Sequence, residues 1–115
     1  MDSLKIEQLK EVVKPVMPAE GGRALKISDI QLSKSIHGWE TVIIEFDYKG
    51  FKFTQTFANC NDDDKCEEER AMLSKLALDG EIRVGDVVVG TVLHKYSSKH
   101  DKAWAMLADV DTVIR

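Results

Sequence analysis

The residues from Lys95 to Trp104, Lys95-Tyr96-Ser97-Ser98-Lys99-His100-Asp101-Lys102 and then Ala103-Trp104, set three lysines, a histidine and two aromatic rings around one turn. Side chains of these types suit a ligand that is both anionic and flat. Ammonium groups neutralise phosphates, and rings offer their faces to bases. The same residues also have a structural use, in which tryptophan fills the end of a core and lysines keep a hairpin tip solvated. A smaller group, Lys34, His37 and Trp39, surrounds an earlier turn.

A second chemistry is concentrated between residues 60 and 81, which carry eight acids against three bases. Asp62, Asp63, Asp64, Glu67, Glu68 and Glu69 either dock on a basic partner or stabilise the positive start of a helix. Cys60, Cys66, His94 and His100 are ligand types for zinc. Each pair, however, is separated by five residues, more than a cysteine knuckle allows, so no metal site is expected. Asn61-Asp62-Asp63-Asp64 lacks the glycine and the distal glutamate of a calcium loop. Asp47-Tyr48-Lys49 with Glu45 and Asp29 faintly resembles the paired carboxylates of a magnesium-dependent nuclease, but Asp47 and Lys52 read more simply as an ion pair. Phosphate-loop, nucleophile-elbow and zinc-protease motifs are absent from the sequence, so neither catalysis nor a cofactor is expected.

The 115 residues, 43% hydrophobic and 31% charged with a net charge of −4, suit one globular domain. No apolar run approaches the roughly 18 residues of a membrane span, and Met1-Asp2-Ser3-Leu4-Lys5 is unlike a signal peptide, so a cytoplasmic protein is expected. In that compartment Cys60 and Cys66 are expected to be free thiols, a loop disulfide being the alternative.

The elements that must position these groups follow from periodicity. Ser3 can cap a helix carrying Leu4, Ile6, Leu9, Val12 and Val13, which Pro15 and Pro18 stop. Residues 1–22 are thus an N-terminal helix and connector, and residues 23–115 the main domain. Between Arg23 and Ile36 the apolar phase shifts from Leu25 and Ile27 to Ile30 and Leu32, the mark of a bulge in a first strand. Strands Trp39–Tyr48 and Phe51–Phe57 form a hairpin around Lys49-Gly50. One register pairs Tyr48 with Phe51, Phe46 with Phe53, Ile44 with Gln55 and Val42 with Phe57, and on the other face Asp47 with Lys52 and Glu45 with Thr54. That other face shows Thr41, Ile43, Glu45, Asp47, Lys52, Thr54 and Thr56, without a stacking aromatic. A helix near Asp64–Leu78 buries Met72, Leu73, Leu76 and Ala77 and ends at Asp79-Gly80. Strands Ile82–Tyr96 and Lys102–Val113 complete the chain. Val87, Val89 and Leu93 on one side of the fourth strand, with Val88 and Val92 on the other, predict cover on both faces, by the N-terminal helix or a second copy.

The order of strand, strand, strand, helix, strand, strand resembles the OB-fold, a five-stranded antiparallel barrel with a helix between strands three and four. Within it the pattern is similar to single-stranded DNA-binding domains, in which a helix like Ala71-Met72-Leu73-Ser74-Lys75-Leu76-Ala77 leads through a turn like Val84-Gly85-Asp86 to an apolar strand like Val87-Val88-Val89-Gly90-Thr91-Val92. The N-terminal helix and the acidic helix start depart from the pattern. The resemblance implies ligand binding across strands two and three, between the first–second and fourth–fifth loops. Carried onto this chain, the site would comprise Lys34, His37, Trp39, Lys95, Tyr96, Lys99, His100, Lys102 and Trp104, with single-stranded nucleic acid as the ligand. The rival expectation is a protein-interaction module that docks through the acidic segment or forms a homodimer.

Overall fold

The computed structural model describes Asp2 and residues 15–36, 38–59 and 64–115. The helix expected over residues 3–14 lies outside these. The rest is mainly β: strands β1 (Gly21–Lys34), β2 (Glu40–Tyr48), β3 (Phe51–Asn59), β4 (Val87–Ser97) and β5 (Lys102–Ile114), with helix α1 (Asp64–Leu76) between β3 and β4. All pairings are antiparallel, in the order β3-β2-β1-β4-β5.

The β2–β3 hairpin has the register that its side chains dictate, from Glu40 opposite Asn59 to Tyr48 opposite Phe51. Lys49 and Gly50 turn it with φ of 49° and 91°, and the Gly50 N–H donates to Asp47 Oδ1 at 2.8 Å. Two consecutive positive φ angles match the right-handed twist of the flanking strands. β1 is shared by two partners: Gly21–Lys26 pair with β4, and Lys26–Lys34 with β2. Its ladder slips between Ile27 and Asp29, where the apolar phase shifts, so Leu25 and Ile27 before the bulge are fully buried and Ile30 after it packs on the same core.

The fourth strand starts five residues later than expected. Asp79 and Gly80, with φ of 54° and 77°, make a tight turn closed by a Leu78–Glu81 bridge. The Arg83 N–H then donates to Asp86 Oδ2 at 3.0 Å, and the Asp86 N–H to the Arg83 carbonyl at 3.1 Å. These local bonds occupy the backbone that a ladder would use, so β4 begins only at Val87. Val88 and Val92 are fully buried, whereas Leu93 is 41% exposed, so the two-sided cover expected for this strand stops short of its far end.

Leu25, Ile27, Ile44, Phe46, Phe57, Leu76, Val88, Val92, Ala105, Leu107 and Val110 form one core. The sheet is not closed. Among the described residues no backbone hydrogen bond joins β3 to β5. A side chain spans the seam instead: Gln55 Nε2 donates to the Leu107 carbonyl at 2.9 Å, and the Leu107 N–H donates to Gln55 Oε1 at 2.7 Å. α1 packs on both β3 and β5, and Glu69 accepts the Ala58 N–H at 3.0 Å. An edge group of β3 is thereby bonded to the helix, and the edge is blunted. The connector also belongs to the core, for Pro18 is fully buried and Met17 packs against the cluster.

One expectation is overturned. Cys66, 2% exposed in the first turns of α1, is disulfide-bonded, and no described cysteine is a free thiol. The other cysteine of the sequence, Cys60, lies outside the described residues. The free-thiol expectation rested on the compartment, which says nothing about how near two sulfurs are brought. A thiol titration of the unreduced, denatured protein should find no reactive thiol; two thiols per chain would contradict the disulfide.

The ladder between β4 and β5 is irregular. Its register slips twice, leaving Ala108 and Asp111 without partners on β4. Gly90 lies between the slips, and a Cβ there would stand 2.2 Å from the Asp109 carbonyl oxygen and 2.9 Å from Leu107 Cδ1. Gly90→Ala should therefore force the two backbones apart, at a cost of about 1–3 kcal/mol. An unchanged denaturation midpoint would show that β5 can move aside freely.

Candidate nucleic-acid interface

β1 meets β4 no further than Gly21, opposite Val92. Beyond that point β4 and β5 continue as a two-stranded arm, with Leu93–Ser97 paired to Lys102–Met106. Lys95, Tyr96 and Lys102 are on these strands, within the expected bounds Ile82–Tyr96 and Lys102–Val113. Alternation divides the arm into two faces. Val92, His94 and Tyr96 stand with Leu107, Ala105 and Ala103 on the core side. Leu93, Lys95 and Ser97 stand with Met106, Trp104 and Lys102 on the outer side. Trp104 is 46% exposed and sits directly across from Lys95. Lys99 and His100 are exposed at the tip.

The arm is braced from its core side. The Tyr96 hydroxyl donates to Asp101 Oδ1 across the tip. That bond, together with partial desolvation, raises the phenol above its usual pKa and keeps it neutral. The His94 N–H donates to Glu20 Oε2 at 2.9 Å, and His94 Nε2 lies 2.7 Å from the Pro18 carbonyl, an acceptor that requires the proton on Nε2. At the root, Lys75 of α1 pairs with Asp109 at 2.8 Å. The outer face of the arm is free of such bonds: Lys95, Lys99 and Lys102 make no ion pair among the described residues.

The second expected group is at the other end of β1. Trp39, 38% exposed, follows the β1–β2 turn, and Lys34 lies directly opposite Glu40 in the ladder. His37 lies outside the described residues. Leu32 and Ile36 are 83% and 97% exposed, and Leu32, Lys34, Glu40, Val42 and Asn59 line a cavity of about 300 Å³. The structure thus does not bring the two tryptophan-bearing groups together, because the length of β1 separates them.

Between them, the outer face of β1–β3 is acidic and internally bonded. The Ser28 hydroxyl donates to Glu45 Oε1 at 2.7 Å, Lys52 approaches the same carboxylate at 3.7 Å, and Gln31 Nε2 donates to Asp29 at 3.0 Å. The nuclease-like carboxylates are thereby engaged separately, and among the described residues no three metal-ligating side chains converge. In the acidic segment, Asp62 and Asp63 lie outside the described residues, Asp64 opens α1, Glu67 and Glu68 are exposed, and Glu69 holds the helix to β3.

Two polar groups escape a reading by motif. Asp86, 1% exposed, accepts from Arg115 Nε at 3.0 Å and Nη2 at 3.2 Å. Gln55 bridges the seam. The signal for Gln55 is its place opposite Ile44 on an otherwise apolar strand face, where a buried amide demands partners. No protein-family model matches this chain, and no curated protein matches it.

Proposed function

We propose that the chain is a small binding module, not an enzyme, in which the curled sheet is an OB-like barrel with its β3–β5 seam closed by Gln55 and α1. Its ligand is single-stranded nucleic acid, bound modestly. The observation that carries this reading is the outer face of the arm, where a half-exposed Trp104 faces Lys95, with Lys102, which makes no ion pair among the described residues, beside it. A ring that could have been buried is instead presented beside two cations, the combination that serves a base and its phosphate.

Trp104→Ala should weaken oligonucleotide binding by about 1–3 kcal/mol. Replacing Lys95, Lys99 and Lys102 by Gln should flatten the dependence of log affinity on log salt by about 2, at roughly 0.7 per phosphate contact on a single strand. Both results are needed, with unchanged melting, since loss of a tryptophan alone could act by loosening the arm. A wild-type protein that fails to bind mixed-sequence oligonucleotides at low salt sinks the proposal. The protein-interaction reading would then take its place, centred on Leu32 and Ile36, whose exposure is unusual for large aliphatic side chains. The disulfide at Cys66 weighs against the reducing cytosol and for an oxidising compartment. Among the described residues no helix is long and apolar enough to cross a membrane.

A further inference from the structure

Resting on that reading, we infer that the arm alone holds the nucleic acid, along its outer face, and that the strand does not cross β2 and β3 to reach Trp39. Three observations lead there. First, Trp39 and Trp104 lie at opposite ends of β1, so a strand touching both must traverse the outer face of the sheet. Second, that face carries Asp29, Glu45 and Asp47 against Lys26 and Lys52, and Lys52 already lies 3.7 Å from Glu45. A phosphate chain laid over three carboxylates and two lysines meets net repulsion. Third, the β1–β2 end sets a single lysine, Lys34, across from an acid, Glu40, which leaves it without net positive charge. The arm instead carries a net positive charge. It sets Lys95, Lys99 and Lys102 against Asp101, which the Tyr96 hydroxyl engages, and Glu20, which accepts the His94 N–H on the opposite side.

The length of the arm fixes the size of the ligand. From Lys102 to Met106 the outer face runs about 13 Å at the ordinary rise of a strand. That accommodates about four phosphates at the roughly 3.4 Å spacing of a stacked strand. Leu93, 41% exposed, and Met106, part-buried, continue the surface beyond Trp104 and offer a second apolar rest for a base.

The test is a length series of fluorescent oligothymidylates from about 3 to about 20 nucleotides, read by anisotropy at low salt with the full chain. Affinity, corrected for the number of overlapping registers, should stop rising at about four nucleotides. Trp39→Ala and the pair Glu45→Gln, Asp47→Asn should leave it within about twofold, whereas Trp104→Ala should lower it by about fivefold or more. Lys95→Gln with Lys102→Gln, which touches no core residue, should lower it as well and guards against a fold defect in the tryptophan variant. Affinity still climbing beyond about eight nucleotides, or a Trp39→Ala loss equal to that of Trp104→Ala, overturns the inference and leaves nucleic-acid binding intact. Absence of binding at every length instead removes the functional reading on which it rests.

Discussion

Phe46→Ala should destabilise the fold by about 3–5 kcal/mol, a large share of what a domain of this size possesses. Phe46 is fully buried on β2, and its ring lies 5.5 Å from that of its cross-strand partner Phe53 at an interplanar angle of 37°. Removing it takes away transfer energy and leaves a cavity walled by both sheet halves, because β2 is the strand that β1 and β3 flank. Phe53→Ala should cost about half as much. Phe53 occupies an edge strand and is only part-buried, so solvent can fill part of the space it leaves. Urea midpoints of the two variants check the ranking. A Phe46→Ala loss below about 1 kcal/mol would place the core elsewhere.

The parts of the fold legible in the sequence are those where one local pattern satisfies several constraints together. In the β2–β3 hairpin, apolar alternation, opposite charges at Asp47 and Lys52 and a Lys-Gly turn agree on one register, although the expected ion pair is replaced by one from Lys52 to Glu45, and a slip of one residue would turn every side chain to the wrong face. The bulge at Ser28 is legible for the same reason, since the phase of Leu25 and Ile27 cannot continue into Ile30 on one face. Legibility fails where tertiary partners decide. Ile82 to Asp86 has apolar residues enough for a strand, but the bonds between Asp86 and Arg83 claim its backbone first. Pro15 to Glu20 reads as a connector by composition, yet Met17 and Pro18 help to cover the core. Closure of the sheet depends on whether β3 and β5 approach, and no periodicity encodes that.

For the candidate site, residue types were legible and grouping was not. A basic, aromatic turn between β4 and β5 is plain from Lys95 to Trp104, but which residues share a face depends on where the ladder ends. Because β4 runs on to Ser97, Lys95 and Trp104 become direct cross-strand partners, while Tyr96 turns to the opposite face and braces Asp101. The reach from Trp39 to Trp104 is a property of β1, which serves two neighbours in succession, and that division appears only in the pairing.

Asp86→Ala should cost about 3 kcal/mol, a loss set by groups far apart in sequence. The Asp86 carboxylate is sealed from solvent, receives two hydrogen bonds from the Arg115 guanidinium and one from the Arg83 N–H, and its backbone carbonyl accepts from the Ile27 N–H. Arg115 also donates to the Glu81 carbonyl at 2.9 Å, so one arginine ties the end of β5 to the loop before β4. Removing the carboxylate strands the Arg83 amide. The Arg115 side chain, 26% exposed, can turn to water, which puts the loss at the low end of the range for a broken buried pair. Asp86→Asn preserves shape but sets an amide N–H against the arginine donors, so it should recover little. The Arg115 hydrogen bonds, opposed by burial and aided by the Arg83 amide, hold the Asp86 carboxyl below its usual pKa. A carboxyl with a lowered folded-state pKa stabilises the fold in full above its unfolded value, near 4, and that contribution fades as pH falls through the folded value. Wild-type melting temperature should therefore decline on acidification below about pH 4 more steeply than that of Asp86→Asn, which has no such proton to gain. Parallel acid profiles for the two proteins would show that another carboxylate sets the acid limit.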